Sequence, residues 1–275
     1  MNRLFTAGVL WALSIVGVGA APEPRIVEHQ VNENLYVLYG GQGQGSNVGV
    51  FLGEDGIILV DAMVGESHDK LMESIRKISS APLSLVLATH DHFDHSGGFP
   101  HLTRLGANVV ARANSEFEET FPWLGFDDKL SISNMGETIE IRGANSHSPS
   151  DALIFFERSN VVFMGDAYTS NWFPTFFSGG IEGQLAAIDQ VLALANEETV
   201  VVPGHGEVVK IDALREYRAL SIAWSDLIID LHDNGLSTVE IAQNPKLLEI
   251  ASEFNVPNLD RVQLMVERVI ETEKQ

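Results

Sequence analysis

The chain of 275 residues contains no cysteine and has few basic residues for its acidic content. Without a thiol there is no disulfide, and no thiolate can serve as metal ligand or nucleophile. Lysine and arginine together number 17 against 38 aspartates and glutamates, which gives a formal net charge of −21. Because such a surface repels nucleic acid and anionic lipid at long range, we expect no nucleic-acid partner.

The first twenty residues differ in character from the rest. A short polar start is followed by a mostly apolar run over residues 4–18 and by the small residues Gly19 and Ala20. The run is short for a membrane span and is typical of a cleaved secretory signal peptide, with a membrane anchor as the alternative. We expect residues 1–20 to be the signal and residues 21–275 to form one domain with C-terminal helices. The mature protein is expected to be an exported monomer, in a bacterial periplasm, with no stable membrane insertion.

The order of apolar patterns predicts how this domain is built. Strands are predicted for RIVEHQVNENLYVLYG, the hairpin SNVGVFLGEDGIILVDAM, PLSLVLATH, ANVVARA, GETIEIRG, ALIFFE, VVFMGD and TVVVPGHG. Helices are predicted for GESHDKLMESIRKIS, IEGQLAAIDQVLALAN, DALREYRALSIAWSDLIIDLHDNG and NLDRVQLMVERVIETEKQ, and FPWLGF is predicted to be a loop. Strand-rich and helix-containing units alternate twice, which indicates sheets covered by helices.

One short stretch, LATHDHFDHSGG at residues 87–98, concentrates potential metal ligands. Imidazole and carboxylate are the ligands that zinc takes when thiolate is absent. The spacing His90-x-His92-x-Asp94-His95 in a tight loop allows side chains to point toward two different metal ions. The alternative is a polar loop with a chance histidine cluster, which would gain little from crowding neutral imidazoles without a metal.

Further candidate ligands lie later in the chain, each beside the end or start of a predicted strand. His147 lies in NSHSPSDA just before a strand, Asp166 follows VVFMG, and His205 lies in PGHGE. Each one alone could be an ordinary turn or capping residue. Together, behind the first motif, they complete a set large enough for two metal sites.

The series THDHFDH, HSPSD, GDAY and PGHG resembles the metallo-β-lactamase-fold hydrolase superfamily, over essentially the whole mature chain. The resemblance implies an α/β fold, a four-layer αβ/βα sandwich with the metal centre at the sheet edge. It also implies that Asp61, in LVDAM, supports the ligand loop. The ligand set it implies is one zinc ion held by His90, His92 and His147, and a second held by Asp94, His95 and His205, with Asp166 bridging both.

A pair of metal ions about 3.5–4 Å apart lowers the pKa of a shared water, and the resulting hydroxide can attack a carbonyl carbon. The resemblance therefore implies a di-zinc hydrolase of a small-molecule ester, thioester, lactone or β-lactam. Iron or manganese could occupy the same ligands. Asp94 is expected to orient the nucleophile or move its proton, and Tyr168 to donate a hydrogen bond to the oxyanion.

The substrate stays open at this stage. A bridging aspartate like Asp166 is typical of glyoxalase II-like thioesterases and of lactonases, whereas β-lactamases of the family carry cysteine there or normally lack a bridging aspartate. β-Lactam hydrolysis remains an alternative. The segment GDAYTSNWFPTF is also similar to exported metallo-hydrolases associated with quinoprotein dehydrogenases. That similarity keeps open a periplasmic accessory or metal-binding role with little turnover.

Aromatic side chains flank the ligand loops in the sequence. The side chains predicted to form an apolar wall of the substrate pocket are Trp123, Trp172, Phe173, Phe176 and Phe177. The alternative is that they pack in the core or between loops.

Overall fold

The computed structural model describes residues 26–41, 43–134, 136–256 and 260–273. The predicted signal peptide lies outside the described residues. Two β-sheets lie face to face, and helices cover the outer face of each sheet. The predicted four-layer α/β sandwich is therefore confirmed.

The first sheet follows chain order across its width, from β1 to β7. Its strands are β1 (Val27–Gln30), β2 (Leu35–Tyr39), β3 (Val48–Gly53), β4 (Gly56–Val60), β5 (Leu83–Leu87), β6 (Asn108–Arg112) and β7 (Trp123–Phe126). Strands β1 to β4 pair antiparallel, and β4 to β7 pair parallel. The predicted hairpin turn falls between β3 and β4, as Gly53 pairs with Gly56.

The second sheet has the strand order β13-β12-β11-β10-β9-β8. Its strands are β8 (Lys129–Asn134), β9 (Glu137–Gly143), β10 (Ala152–Phe156), β11 (Val161–Phe163), β12 (Val200–Val202) and β13 (Val209–Lys210). Only the pair of β11 and β12 is parallel among the described pairings of this sheet. The loops after these two parallel strands consequently leave the sheet at the same edge.

Eight α-helices are described, and their apolar faces turn toward the sheets. They are α1 (His68–Ile78), α2 (Phe93–Ser96), α3 (Phe99–Arg104), α4 (Gly180–Leu194), α5 (Ile211–Asp233), α6 (Thr238–Ala242), α7 (Pro245–Glu253) and α8 (Val262–Thr272). In α1, for example, the buried residues Leu71, Met72 and Ile75 recur at three- and four-residue spacing. No helix within the described ranges is both long and apolar enough to span a membrane.

The core consists of three apolar layers. The middle layer packs the inner faces of the two sheets against each other, for example Phe51 against Phe156 at a ring-centroid distance of 5.4 Å. A second layer lies between the first sheet and the helices α1 and α3. The third layer, which contains the fully buried Trp224, lies between the second sheet and helices α4 to α8. Because this core is extensive, we expect the fold to form without a metal ion.

Some elements differ from the sequence-based expectations. The segment FPWLGF was expected to be a loop, but its residues Trp123–Phe126 form β7, since pairing with β6 satisfies their backbone groups. Strands β8 and β13 and helices α2, α6 and α7 were not predicted, and α2 lies in the motif that was expected to be a tight loop. Helix α6 is five residues long, too short to show a periodic apolar pattern, although a capping box of Ser237 and Glu240 marks its start.

Candidate metal centre

The ends of strands bring all seven predicted ligands to one place. The loop after β5 carries His90 and His92 and leads into α2, which carries Asp94 and His95. His147 lies between β9 and β10, Asp166 lies in the turn after β11, and His205 follows β12. Their ligand atoms form compact groups in which every atom lies within 4.8 Å of the others. The fold thus brings the seven candidate ligands together, as the order of the motifs predicted.

The first group consists of three imidazoles. His92 Nδ1 lies 3.1 Å from His90 Nε2 and 2.9 Å from His147 Nε2. Three ring nitrogens that meet at such distances, from three positions in the chain, have the convergence that a single metal ion requires.

The second group consists of Asp94, His95 and His205. His205 Nε2 lies 3.0 Å from Asp94 Oδ2, and His95 Nε2 lies 3.9 Å from the same oxygen. This is the set that the resemblance assigns to the second metal ion.

Asp166 lies between the two groups. Its Oδ1 is 3.3 Å from His95 Nε2 and 3.5 Å from His205 Nε2. Its other oxygen, Oδ2, is 3.6 Å from His147 Nε2. Each oxygen thus faces a different group, so this carboxylate lies where two ions could share it.

Two buried atoms test whether a metal ion fits here. His95 Nε2 and Asp166 Oδ1 are buried and lie 3.3 Å apart, and neither one has a hydrogen-bond partner among the described residues. A buried polar atom left without a partner costs about 1–3 kcal/mol. A metal ion would satisfy both atoms, and the set of nitrogen and oxygen donors suits zinc, iron or manganese. The residues therefore fit a metal centre.

Burial sets the protonation of the first group. Burial lowers the pKa of His90 well below its ordinary value, and the nearby His95 and His147 lower it further. Burial also lowers the pKa of His92, again with the help of His147. Both imidazoles are consequently neutral near pH 7, which is the form that binds metal.

The second group behaves as a set of ion pairs. Burial opposes a charge on His95, but Asp166 and Asp61 outweigh it and raise the pKa of His95 well above its ordinary value. Burial likewise opposes ionisation of Asp166, but chiefly His95 keeps the pKa of Asp166 well below its usual range. Burial also opposes ionisation of Asp94, but the hydrogen bond from His205 and the charges of His95 and His205 together lower the pKa of Asp94.

Asp61 holds His95 in place from behind. The His95 Nδ1–H donates to Asp61 Oδ2 at 2.8 Å, which directs Nε2 toward the centre. Asp61 also accepts hydrogen bonds from the Thr89 amide at 2.8 Å and the Thr89 hydroxyl at 2.7 Å. Its backbone has φ 62°, a left-handed conformation that aspartate and asparagine tolerate better than most residues. The structure thus places Asp61 where the sequence analysis expected a supporting residue.

A second supporting carboxylate, Asp151, was not assigned from the sequence. It is buried and accepts hydrogen bonds from the backbone amides of Ser146, His147 and Ser148 and from the Ser148 hydroxyl. Burial raises the pKa of Asp151. The signal was present in HSPSD, because an aspartate four residues after a histidine can accept the amides of the turn between them.

The imidazole of His147 is fixed by the backbone of another loop. Its Nδ1–H donates to the carbonyl oxygen of Thr175 at 2.9 Å, which leaves Nε2 to face the centre. No sequence signal identifies this partner, since any residue type supplies a carbonyl oxygen.

Gly204, which lies in the loop just after β12, packs directly against Asp166. A Cβ atom at this position would lie 2.0 Å from Asp166 Oδ1. Only glycine therefore fits beside the carboxylate, which explains why PGHG places a glycine directly before the ligand His205.

A cavity of about 440 Å³ opens beside the metal residues. It is lined by His147, Asp166, Thr169, Ser170, Asn171, Trp172, Thr175, Phe177, His205 and Met265. Trp172 and Phe177 lie where the sequence analysis expected them. Met265 was missed, because it comes from α8, sixty residues beyond the last ligand.

The other predicted wall residues lie elsewhere. Trp123 packs against Phe117 at 5.5 Å on the outer side of the first sheet, and Phe173 is fully buried against Trp224. Phe176 is buried in the same core layer as Phe173. None of the three lines the cavity, so their predicted pocket role is corrected to core packing.

Tyr168 also lies outside the cavity beside the metal residues. It is buried, packs edge to face on Tyr217, and lines a separate cavity of about 160 Å³. Burial raises the pKa of Tyr168 to about 12. The geometry does not support the expected role of its hydroxyl as an oxyanion donor.

The sequence profile of the Metallo-beta-lactamase superfamily matches residues 41–205, which contain all seven candidate ligands. The chain therefore belongs to the metallo-β-lactamase superfamily. It is a metallo-hydrolase of that superfamily, in which zinc is the usual metal.

Named relatives share this part of the chain at low identity. Metallo-beta-lactamase IND-1 of Chryseobacterium indologenes is 23% identical over 66% of this chain and 82% of its own length. A hydroxyacylglutathione hydrolase of Prochlorococcus marinus is 24% identical over 62% of this chain, which spans 64% of that relative. The solved metallo-beta-lactamase of Pontibacter korlensis is 18% identical with a TM-score of 0.62, and the match covers 72% of this chain and 99% of that one. The likeness in structure confirms the fold.

Proposed function

We propose that the protein hydrolyses a small-molecule carbonyl compound at a centre of two zinc ions. The observation that carries this proposal is the position of Asp166, whose two oxygens face two separate groups of three ligands. When bound, zinc supplies Lewis acidity, which lowers the pKa of water and polarises a carbonyl group. The first ion would be held by His90, His92 and His147, and the second by Asp94, His95 and His205, with Asp166 shared.

The residues of the chain contribute position and proton transfer. Asp61 and the Thr175 carbonyl hold the imidazoles of His95 and His147 in orientations that direct Nε2 inward. The side chain of Asp94 is 42% exposed, in contrast to the fully buried His95, so it can pass a proton to bulk water. The substrate carbonyl would enter through the cavity, where His147, Asp166 and His205 form part of the wall.

An ester, thioester or lactone is the favoured substrate, and a β-lactam is the second candidate. The shared carboxylate of Asp166 supports the first reading, because such a residue is typical of thioesterases and lactonases in the superfamily. The similarity to a protein named metallo-beta-lactamase IND-1 supports the second. We also propose that the protein is exported, on the basis of its N-terminal residues.

The test compares kcat/KM of zinc-loaded mature protein for an aryl ester, a thioester, an acyl lactone and a chromogenic cephalosporin, each with and without chelator. A chelator-sensitive rate led by ester, thioester or lactone supports the proposal. Dominance of the cephalosporin would identify a β-lactamase instead. Bound zinc with no rate on any substrate would overturn the proposal and favour an accessory or metal-binding role.

Ligand variants provide the matched control for this test. His90→Ala is expected to lower kcat/KM by more than about 100-fold with the fold kept, since loss of a mere supporting partner already costs 10–100-fold. His29→Ala, at an exposed histidine on β1, is expected to leave the rate unchanged. A His90→Ala protein with full turnover would contradict the proposed centre.

A further inference from the structure

Part of the wall of the cavity beside the metal residues is apolar. Three large side chains form it, namely Trp172 and Phe177 from the loop before α4 and Met265 from α8. The exposed surface of the cavity is mostly apolar, and its volume of about 440 Å³ is in the range of small-molecule pockets.

These side chains stand next to the proposed reaction centre. The Phe177 ring packs against the imidazole of His147 at a centroid distance of 5.6 Å. Its ring also faces α8, since Arg268 Cζ lies 5.9 Å from the Phe177 centroid. A group bound against Phe177 would therefore lie between the candidate ligand His147 and the C-terminal helix.

No lysine or arginine lines this cavity within the described parts of the chain. The nearby guanidinium of Arg268 packs on Phe177 and forms an ion pair with Glu271 at 3.0 Å. The cavity wall thus offers no cationic side chain to a carboxylate of the substrate. The net charge of −21 further disfavours the approach of an anion.

The C-terminal helix is a feature of this chain outside the part that defines the family. The superfamily profile ends at residue 205, and Met265 lies well beyond it. A wall contributed by α8 can consequently set substrate preference without changing the ligands.

We propose that the substrate is an uncharged carbonyl compound whose hydrophobic group binds against Trp172, Phe177 and Met265. This inference rests on the proposed hydrolase function and names its substrate class. Burial of the hydrophobic group in this cavity supplies binding energy. A carboxylate against these three apolar side chains would lose its hydration without meeting a cationic side chain, which is unfavourable.

The test uses a matched pair of esters, p-nitrophenyl isocaproate and p-nitrophenyl hemisuccinate, whose acyl groups have nearly the same shape but differ in charge. We expect kcat/KM to be at least about tenfold higher for the neutral ester, as charge burial without a partner is costly. Equal rates, or a preference for the hemisuccinate, would overturn the inference.

Variants of α8 identify the wall. The variants Met265→Ala and Met265→Glu are both expected to lower the ratio of kcat/KM for p-nitrophenyl isocaproate to kcat/KM for p-nitrophenyl acetate. The ratio should fall about threefold in Met265→Ala and about tenfold or more in Met265→Glu. The matched control is Leu264→Glu, at the neighbouring exposed position on α8, which is expected to keep the ratio. A ratio that stays constant in a folded Met265→Ala protein would contradict the assignment of Met265.

A binding measurement separates this inference from the proposed function. The ligand is the neutral amide N-phenyl isocaproamide, whose binding to chelator-treated protein can be followed by tryptophan fluorescence. The variant Trp172→Phe is expected to reduce the fluorescence change on binding. If the amide binds, if Met265→Glu weakens that binding, and if no ester is hydrolysed, the proposed hydrolase function is overturned and the proposed binding surface is kept. If esters are hydrolysed with no preference for the neutral one, and the amide does not bind, the inference about the substrate is overturned and the proposed hydrolase function is kept.

Discussion

At the scale of single residues, the candidate ligands depend on hydrogen-bond partners outside the two metal-binding groups. His95 and His147 each use Nδ1 for such a partner and present Nε2 to the centre. Because one of these partners is a carboxylate at a left-handed backbone position, Asp61 can be replaced by asparagine with little backbone strain. That substitution keeps the shape of the side chain but removes its charge and one of its two hydrogen-bond acceptors.

Asp61→Asn is expected to weaken zinc binding about 10–100-fold while the fold is kept, since it removes the negative charge that orients and polarises His95. A competition titration with a chelating dye measures the affinity. Asp69→Asn, at an exposed aspartate of α1, is the control and should leave the affinity unchanged. Equal zinc affinity in Asp61→Asn and the native protein would show that Asp61 is not a supporting residue.

At the scale of elements, the site depends on how closely two strand ends approach. The turn after β11 carries Asp166, and the end of β12 passes so near that only glycine fits at position 204. The loop between β9 and β10 is held in a similar way by the buried Asp151, which binds three consecutive amides.

Gly204→Ala is expected to displace the Asp166 carboxylate and to weaken zinc binding at least tenfold, because the new Cβ would overlap Oδ1. Gly41→Ala is the matched control, as a Cβ there meets no atom within 4 Å. The same dye titration measures both proteins. Unchanged zinc binding by Gly204→Ala would mean that the approach of β12 is not critical.

Asp151→Ala is expected to destabilise the protein by about 1–3 kcal/mol or more, since it leaves several buried amides without an acceptor. Urea unfolding of the metal-free protein measures this loss, with Asp127→Ala at an exposed position as the control. A midpoint equal to that of the native protein would contradict the role of Asp151 in holding the loop of His147.

At the scale of the whole molecule, three apolar layers stabilise the sandwich independently of the metal centre. Metal ions held at the edge of the sheets would add stability only through binding. At a free zinc concentration 100 times the Kd, one site adds about 2.7 kcal/mol.

Removal of metal with a chelator is therefore expected to lower the Tm while the far-UV circular dichroism at 25 °C stays unchanged. Readdition of zinc should restore the Tm. Loss of the native dichroism on chelation would show instead that the fold depends on metal.

Much of this architecture could be predicted from the sequence, because local patterns carry it. The hairpin turn of β3 and β4, the helical spacing in α1 and the dense motif of His90 to His95 are each contained in a short segment. The order of the later motifs was enough to predict that His147, Asp166 and His205 join them.

The parts that could not be predicted depend on distant contacts. Met265 reaches the cavity only because α8 packs back onto the loop that carries Phe177. Trp123 and Phe173 have the composition of pocket residues, but the packing of their neighbours turns them into the core. Tyr168 is close to Asp166 in sequence, yet its ring packs on Tyr217.

The number of zinc ions bound per chain tests the central claim most directly. Metal-free mature protein would be titrated with zinc and its mass measured under native conditions, beside Asp166→Ala. The account predicts two ions per native chain and fewer than two in the variant, because Asp166 faces both groups of ligands. A native chain that binds at most one ion, or a variant that still binds two with unchanged affinity, would contradict it.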